Sequence, residues 1–205
     1  REKIMKIVVF AGGVGTRLWP LSRKSTPKQF EKIIGEKSML QIATSKLQPE
    51  FSWKDIFIST GKQYETIVRK QLAHLPSKNI IVEPEMRDVG PAVGLIAAIF
   101  VKTNPNEPIA LLWGSDHLVK KEEVFRKALK SAEFLINKDP NKIVFISQKP
   151  RFASQNLGYI EFGSEKTKID GLPVYSFSGF QYRPHLSTAE TFFKDGHHAW
   201  NLGYF

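Results

Sequence analysis

The chain has 205 residues, 41% hydrophobic and 12% aromatic, which is enough to enclose one core of ordinary domain size and too apolar for a disordered segment. It contains no cysteine, which excludes disulfides, thiolate metal sites and thiol catalysis, and no run approaches the roughly 20 apolar residues of a membrane span. The net charge of +10 is spread along the chain without a block of like charge, so most of it reads as solvated faces, with an anionic small substrate or a nucleic acid as alternative sources of the bias. Arg1-Glu2-Lys3 leads directly into an apolar run rather than a secretory leader, so a cytoplasmic location is the expectation.

Lys6-Ile7-Val8-Val9-Phe10 is apolar enough for a strand buried on both faces, as in a parallel sheet. Ser38 can cap a helix through Leu40, Ile42, Ala43 and Leu47, which Pro49 ends. A second strand is predicted over 55–59 and a helix over 63–75, stopped by Pro76. A third strand is predicted over 79–83, followed by a helix that Pro91 opens and that runs through Phe100. A fourth strand is predicted over 109–113. Residues 122–137 carry Val124, Phe125, Ala128, Leu129, Ala132, Leu135 and Ile136 at helical spacing, and a fifth strand is predicted over 143–147.

Five alternations of strand and helix predict an α/β fold, a Rossmann-like, doubly wound, mostly parallel sheet. From Pro150 the rhythm changes. Residues 158–163 and 174–177 read as shorter antiparallel strands, and 187–194 as a helix capped by Ser187. The expected organisation is one domain over 1–205, with a mostly parallel part (1–149) and a smaller antiparallel part (150–205).

Ligands of such sheets bind beyond the C-terminal strand ends, so the stretches 11–28, 83–91 and 114–117 are the ones to inspect. In the first, Ala11-Gly12-Gly13-Val14-Gly15-Thr16 puts three glycines in four positions after a strand. Main-chain N–H groups can then approach a bulky anion, and Arg17, Arg23, Lys24 and Lys28 follow as cations. The P-loop spacing is absent, and Leu18 stands where the dinucleotide fingerprint needs its third glycine. In the second stretch, Glu83 offers two acceptors to guanine, whose N1–H and exocyclic amine are adjacent donors; uracil has no such pair. In the third, Asp116 is the oxygen donor best placed for Mg2+, a hard ion satisfied by one or two carboxylates with phosphates and water.

The full string from Gly12 through Thr16-Arg17-Leu18-Trp19-Pro20-Leu21-Ser22-Arg23 to Pro27-Lys28-Gln29-Phe30 closely resembles the signature of the sugar-nucleotide pyrophosphorylases, and within them the mannose-1-phosphate guanylyltransferase branch. The resemblance implies that Ala11, Gly12, Gly13, Gly15 and Thr16 hold the nucleotide phosphates. It implies that Arg17 and Lys28 neutralise charge during catalysis, and that Asp116 binds the metal. The segment from Glu83-Pro84 through Arg87 to Gly90-Pro91 resembles the family's base-binding element. The resemblance makes 1–149 the nucleotide-binding part and 150–205 the sugar-binding part, and Gly158, Tyr182, Arg183 and Asn201 fall on the sugar-phosphate side, where Tyr182 replaces an expected carboxylate. The Trp113-Gly114 pair also departs from the family pattern.

The expected reaction is guanylyl transfer from GTP to a hexose-1-phosphate, with mannose-1-phosphate as acceptor and Mg2+ as cofactor. The alternative is a catalytically impaired nucleotide-sugar-binding or regulatory paralogue of the same fold. No nucleic-acid motif supports a nucleic-acid partner, no membrane partner is expected, and a homodimer is an open arrangement. The family carries further strands and a second metal aspartate after the motif matched by Trp200-Asn201-Leu202-Gly203-Tyr204-Phe205, so the domain is expected to be truncated at its C-terminus.

Overall fold

The computed structural model describes residues 4–13, 19, 22, 23, 25, 27–113, 115 and 117–205. The chain divides into two compact units, Arg1–Arg126 and Lys127–Phe205.

The first unit is built on a parallel sheet of β1 (Lys6–Phe10), β2 (Ile56–Gly61), β3 (Ile80–Glu83) and β4 (Ile109–Leu112), in the order β3-β2-β1-β4. Ile7 lies beside Ile56 on one side and Ala110 on the other. Ile7, Val8, Val9, Ile56 and Ile58 are all buried, as strands covered on both faces require. β2 and β3 lie on one side of β1 and β4 on the other, so the switch point of the sheet falls between β1 and β4.

Helix α1 (Met39–Ser45) is capped by Ser38, as the sequence predicts, with Gln41 completing a reciprocal capping box, and it ends two residues before the predicted Leu47. Helix α2 (Glu65–Gln71) is shorter than the predicted 63–75, because a 3₁₀ turn occupies Lys62–Tyr64 and Gln41 Nε2 takes the Gln71 carbonyl at 2.9 Å. Leu72 and Leu75 remain buried beyond its end. Helix α3 (Val89–Thr103) begins two residues before Pro91, because the Asp88 carboxylate accepts the Val89 N–H at 2.8 Å. Proline in the first turn lacks only an N–H that would be unpaired there. Helix α4 (Glu122–Lys138) buries Phe125 and Leu129, whereas Val124, predicted on the same face, is exposed.

The second unit is antiparallel. β8 (His198–Tyr204) pairs with β5 (Ile146–Gln148) and with β6 (Gly158–Ile169), and β6 pairs with β7 (Leu172–Tyr182). The predicted fifth parallel strand is therefore corrected twice: β5 starts three residues later, and it is antiparallel. The apolar run that suggested it is used differently, since Phe145 packs on Phe177 and Phe205 at 5.5 and 5.9 Å while Ile143 is exposed. The hairpin strands are also two to three times longer than predicted. Asp170 (φ 51°) and Gly171 (φ 79°) form its two-residue turn, the left-handed pair that suits a right-twisted hairpin. Helix α5 (Leu186–Lys194) begins one residue early, with His185 rather than Ser187 at its cap. Its Ala189 packs on buried Tyr159 and Trp200.

Lys6 anchors the N-terminal edge of the parallel sheet. Its ammonium lies 2.7 Å from Asp55, just before β2, and 3.3 Å from Glu107, just before β4. Burial is the largest influence on both Lys6 and Asp55 and favours their neutral forms. The bonds and charges of Asp55 and Glu107 outweigh it for Lys6, whose pKa rises above its ordinary 10.5. The bonds from Lys6 and Ser52, with nearby positive charge, outweigh it for Asp55, whose pKa falls below its ordinary 3.8. Asp55 therefore adds stability above about pH 3.8 that is lost as pH falls through its lower folded value. Lys6 adds stability below about pH 10.5 that is lost as pH rises through its higher folded value. Lys6→Met should cost about 3–5 kcal/mol, since it strands a buried carboxylate. In urea titrations against pH, Asp55→Asn should flatten the acid limb of the stability profile; an acid limb identical to the parent's would show that other carboxylates set it.

Candidate functional site at the sheet's C-terminal edge

β1 delivers Ala11, Gly12 and Gly13 to the C-terminal edge of the sheet. Ala11 donates its N–H to the Ser59 carbonyl at 2.8 Å, and its own carbonyl accepts from Thr60 Oγ1 at 3.1 Å and Gln29 Nε2 at 3.0 Å. Gln29 Nε2 also donates to the Gly13 carbonyl at 2.7 Å. Gln29 is 2% exposed and belongs to a 3₁₀ turn, Lys28–Phe30, closed by the Phe30 N–H on the Pro27 carbonyl. One buried amide thus holds two carbonyls of the glycine segment.

Glu83 ends β3 beside Gly61 of β2. It is 9% exposed, and Ser59 Oγ donates to its Oε1 at 2.7 Å. A β-carbon added to Gly12 would lie 3.1 Å from that same oxygen. The structure therefore brings together the glycine segment and Glu83, two of the sequence-predicted groups. A carboxylate has more acceptor sites than Ser59 uses, so Glu83 keeps capacity for further donors.

The other predicted residues are placed less tightly. Lys28 is half-buried, and its backbone N–H donates to Ser22 Oγ at 3.0 Å. Pro84 and Arg87 are exposed on the segment leading into α3, Gly90 and Pro91 are exposed in its first turn, and Arg87 Nε donates to Glu85 at 2.7 Å. Asp88 there has φ 68° and ψ −174°, a backbone region that costs a non-glycine residue roughly 1–3 kcal/mol and tends to mark functional loops. Gly15, Thr16, Arg17 and Asp116 lie outside the described residues.

In the second unit, Gly158 sits between Tyr182 of β7 and Asn201 of β8 in the strand register. Arg183 follows in a left-handed conformation (φ 48°), and its N–H donates to the Leu157 carbonyl at 3.2 Å. Its guanidinium lies over the exposed Tyr182 ring, 5.0 Å from the centroid. A β-carbon on Gly158 would meet the Phe180 ring at 2.8 Å, so only glycine fits there without a shift. All four predicted sugar-side residues are neighbours.

Among the described residues no group of three His, Asp or Glu is arranged to hold a metal ion. The expected Mg2+ site needs less, because one carboxylate suffices when phosphates and water complete the shell. The donor set of Asp116 plus a nucleotide's phosphates fits that chemistry. Ser115, just before Asp116, is buried at the exit of β4, where Trp113 stacks on Phe10 at 4.1 Å.

Sequence reasoning named neither Ser59 nor Gln29 as a site residue. The signals were present: Ser59 and Thr60 are polar residues ending an apolar strand, and Gln29 follows Lys28 in the quoted motif. Gln29→Leu should destabilise the protein by about 1–3 kcal/mol, because it removes the donor from buried carbonyls. Gly12→Ala should cost a similar ~1–3 kcal/mol, since Ser59 holds the oxygen that must move. Thermal unfolding of each variant is the check, and parental stability in both would mean that the segment is not held this way.

The family model described as "Nucleotidyl transferase" matches residues 6–205. Mannose-1-phosphate guanylyltransferase 2 of Escherichia coli O157:H7 is 37% identical over 204 residues, covering 97% of this chain and 42% of that protein. Mannose-1-phosphate guanylyltransferase RfbM of Salmonella typhimurium is 34% identical over 202 residues, covering 97% and 40%. This chain therefore spans about two fifths of the length of these curated relatives. A crystal structure described as a mannose-1-phosphate geranyltransferase from Thermus thermophilus superposes with a TM-score of 0.85 at 26% identity, covering 98% of this chain and 56% of that one. With a parallel sheet, a glycine exit and a match over nearly its whole length, the chain belongs to the nucleotidyl transferase family.

Proposed function

We propose that this chain is a nucleotidyltransferase domain that transfers a guanylyl group from GTP to a hexose-1-phosphate, with mannose-1-phosphate as the acceptor. The observation that carries this reading is the buried Glu83 carboxylate, held by Ser59 and lying against Gly12. A carboxylate beside a phosphate-binding glycine segment matches the paired donors of guanine and repels the carbonyl that uracil presents instead. The guanylyltransferase relatives point to the same base and acceptor.

In this reaction an oxygen of the sugar phosphate forms a bond to the α-phosphorus of GTP. The bond from that phosphorus to the bridging oxygen of the β-phosphate breaks, and pyrophosphate leaves with the electron pair. The attacking phosphate is already anionic and requires no general base. Catalysis then rests on alignment and charge neutralisation. We assign the glycine segment to the phosphates, Arg17 and Lys28 to the charge that develops, and Arg183 with Gly158 and Asn201 to the sugar phosphate. Asp116 would hold Mg2+ against the nucleotide, and the ion would supply charge neutralisation on the phosphates.

Tyr182 favours a second reading, a paralogue that binds a sugar nucleotide without turnover. Its exposed ring under Arg183 cannot accept two sugar hydroxyls as a carboxylate can.

A pyrophosphate-release screen over GTP, UTP, dTTP and ATP with mannose-1-phosphate and glucose-1-phosphate tests both readings. GTP with mannose-1-phosphate should be the preferred pair. Glu83→Gln should cut the preference for GTP over UTP about tenfold, the equivalent of roughly 1.4 kcal/mol. Lys28→Ala should lower kcat far more than nucleotide affinity. Equal affinity of the parent for all four nucleotides would overturn the base assignment, and tight GTP binding without pyrophosphate release would favour the paralogue.

A further inference from the structure

Gly61 ends β2 at the register position beside Glu83. Its backbone is ordinary, with φ −72° and ψ 152°, so no left-handed turn calls for glycine there. Glycine weakens a strand and often marks the close approach of another group. Here that group is the Gln63 carboxamide. A β-carbon on Gly61 would lie 2.9 Å from its Oε1 and 3.1 Å from its Nε2. Register partners on neighbouring strands project to the same face, with the strands about 4.8 Å apart. The carboxamide therefore lies on the face from which Glu83 projects. Gly12 makes room for the Glu83 carboxylate in the same way. Two glycines, one just past β1 and one ending β2, thus clear space for a carboxylate and a carboxamide. Gln63 Nε2 also lies 3.7 Å from the Met86 sulfur, on the segment that leaves β3, and both side chains are exposed. A thioether is a weak acceptor, so the amide can exchange it for a base carbonyl.

We propose that Gln63 is a second base-reading residue: its carboxamide N–H donates to O6 of guanine while Glu83 accepts from N1–H and the exocyclic amine. Along that edge guanine presents an acceptor and two donors, and a carboxamide beside a carboxylate presents a donor and two acceptors. Adenine carries an amine at position 6 and no N1–H, so it matches neither group. This role rests on the guanine reading of Glu83 and deepens it, from a choice against uracil to a reading of the whole purine edge.

The test compares the parent, Gln63→Leu, Gln63→Glu and Gly61→Ala in their affinities for GTP, ITP and 2-aminopurine riboside triphosphate, measured by calorimetry. ITP keeps O6 and N1–H and lacks the exocyclic amine. The 2-aminopurine nucleotide keeps the amine and has nothing at position 6. Gln63→Leu should weaken GTP and ITP about tenfold each, the scale of one hydrogen bond, and leave the 2-aminopurine nucleotide within about twofold of the parent. Gln63→Glu, which opposes a carboxylate to O6, should weaken GTP further. Gly61→Ala displaces the amide without deleting it, on a backbone that already suits alanine, and should give the same selective loss with the melting temperature held. A loss equal across the three nucleotides in Gln63→Leu would make Gln63 a prop for the segment 84–88 and overturn the proposal, as would unchanged GTP affinity. A parent that binds GTP and the 2-aminopurine nucleotide equally would sink the guanine reading of Glu83 and this role with it. A parental preference for GTP that survives intact in Gln63→Leu sinks the role of Gln63 alone.

Discussion

The missing side chain of Gly12 is the constraint on which the rest of the first unit turns. The main chain passes so close to Glu83 that even a methyl group would press on its carboxylate. That oxygen cannot yield easily, because Ser59 already holds it. Ser59 in turn accepts the Ala11 N–H through its own carbonyl. Three parallel strands therefore converge through one serine, and Gln29 closes the arrangement from the far side of the glycine segment. Each contact is ordinary in strength. Their shared members make them cooperative, so the loss of one is felt by the others.

The two ends of the parallel sheet use polar groups in opposite ways. At the N-terminal edge, Lys6, Asp55 and Glu107 satisfy one another and tie the starts of three strands. At the C-terminal edge, Glu83 is buried with only part of its accepting capacity engaged by Ser59. Charges that satisfy one another secure the frame at one end, and at the other Glu83 has spare accepting capacity beyond its bond from Ser59 among the described residues. This polarity agrees with the general placement of ligands at the carboxyl ends of parallel strands.

Much of this was legible in the sequence, and the failures have physical causes. β1 is readable to the residue because its doubly buried apolar run is bounded by Lys6 on one side and by the glycine segment on the other. The start of α1 is readable because Ser38 and Gln41 form a spaced pair. The early start of α3 was missed because Asp88 adopts a backbone conformation that its residue type does not advertise. β5 was misplaced because the apolar residues before it form an aromatic cluster rather than a ladder. The outer half of β6 and the last five residues of β7 were missed because strand positions mostly open to solvent show no clean alternation. At the candidate site, the glycine segment and Glu83 could be named from chemistry and resemblance. Ser59 and Gln29 could not, because their importance comes from partners 18 to 24 residues distant.

The turn at Asp170 and Gly171 gives that hairpin a practical property. Both residues take left-handed conformations, and the strand positions around them are exposed or half-buried. Extra residues placed between them would lie away from the cluster of Tyr159, Ala189 and Trp200 that forms the unit's core, at a closure cost of only about 0.6 kcal/mol per doubling of loop length. The tip is thus a natural graft point, where a peptide epitope or a fluorescent label can be carried while the ladder of β6 with β8 stays intact.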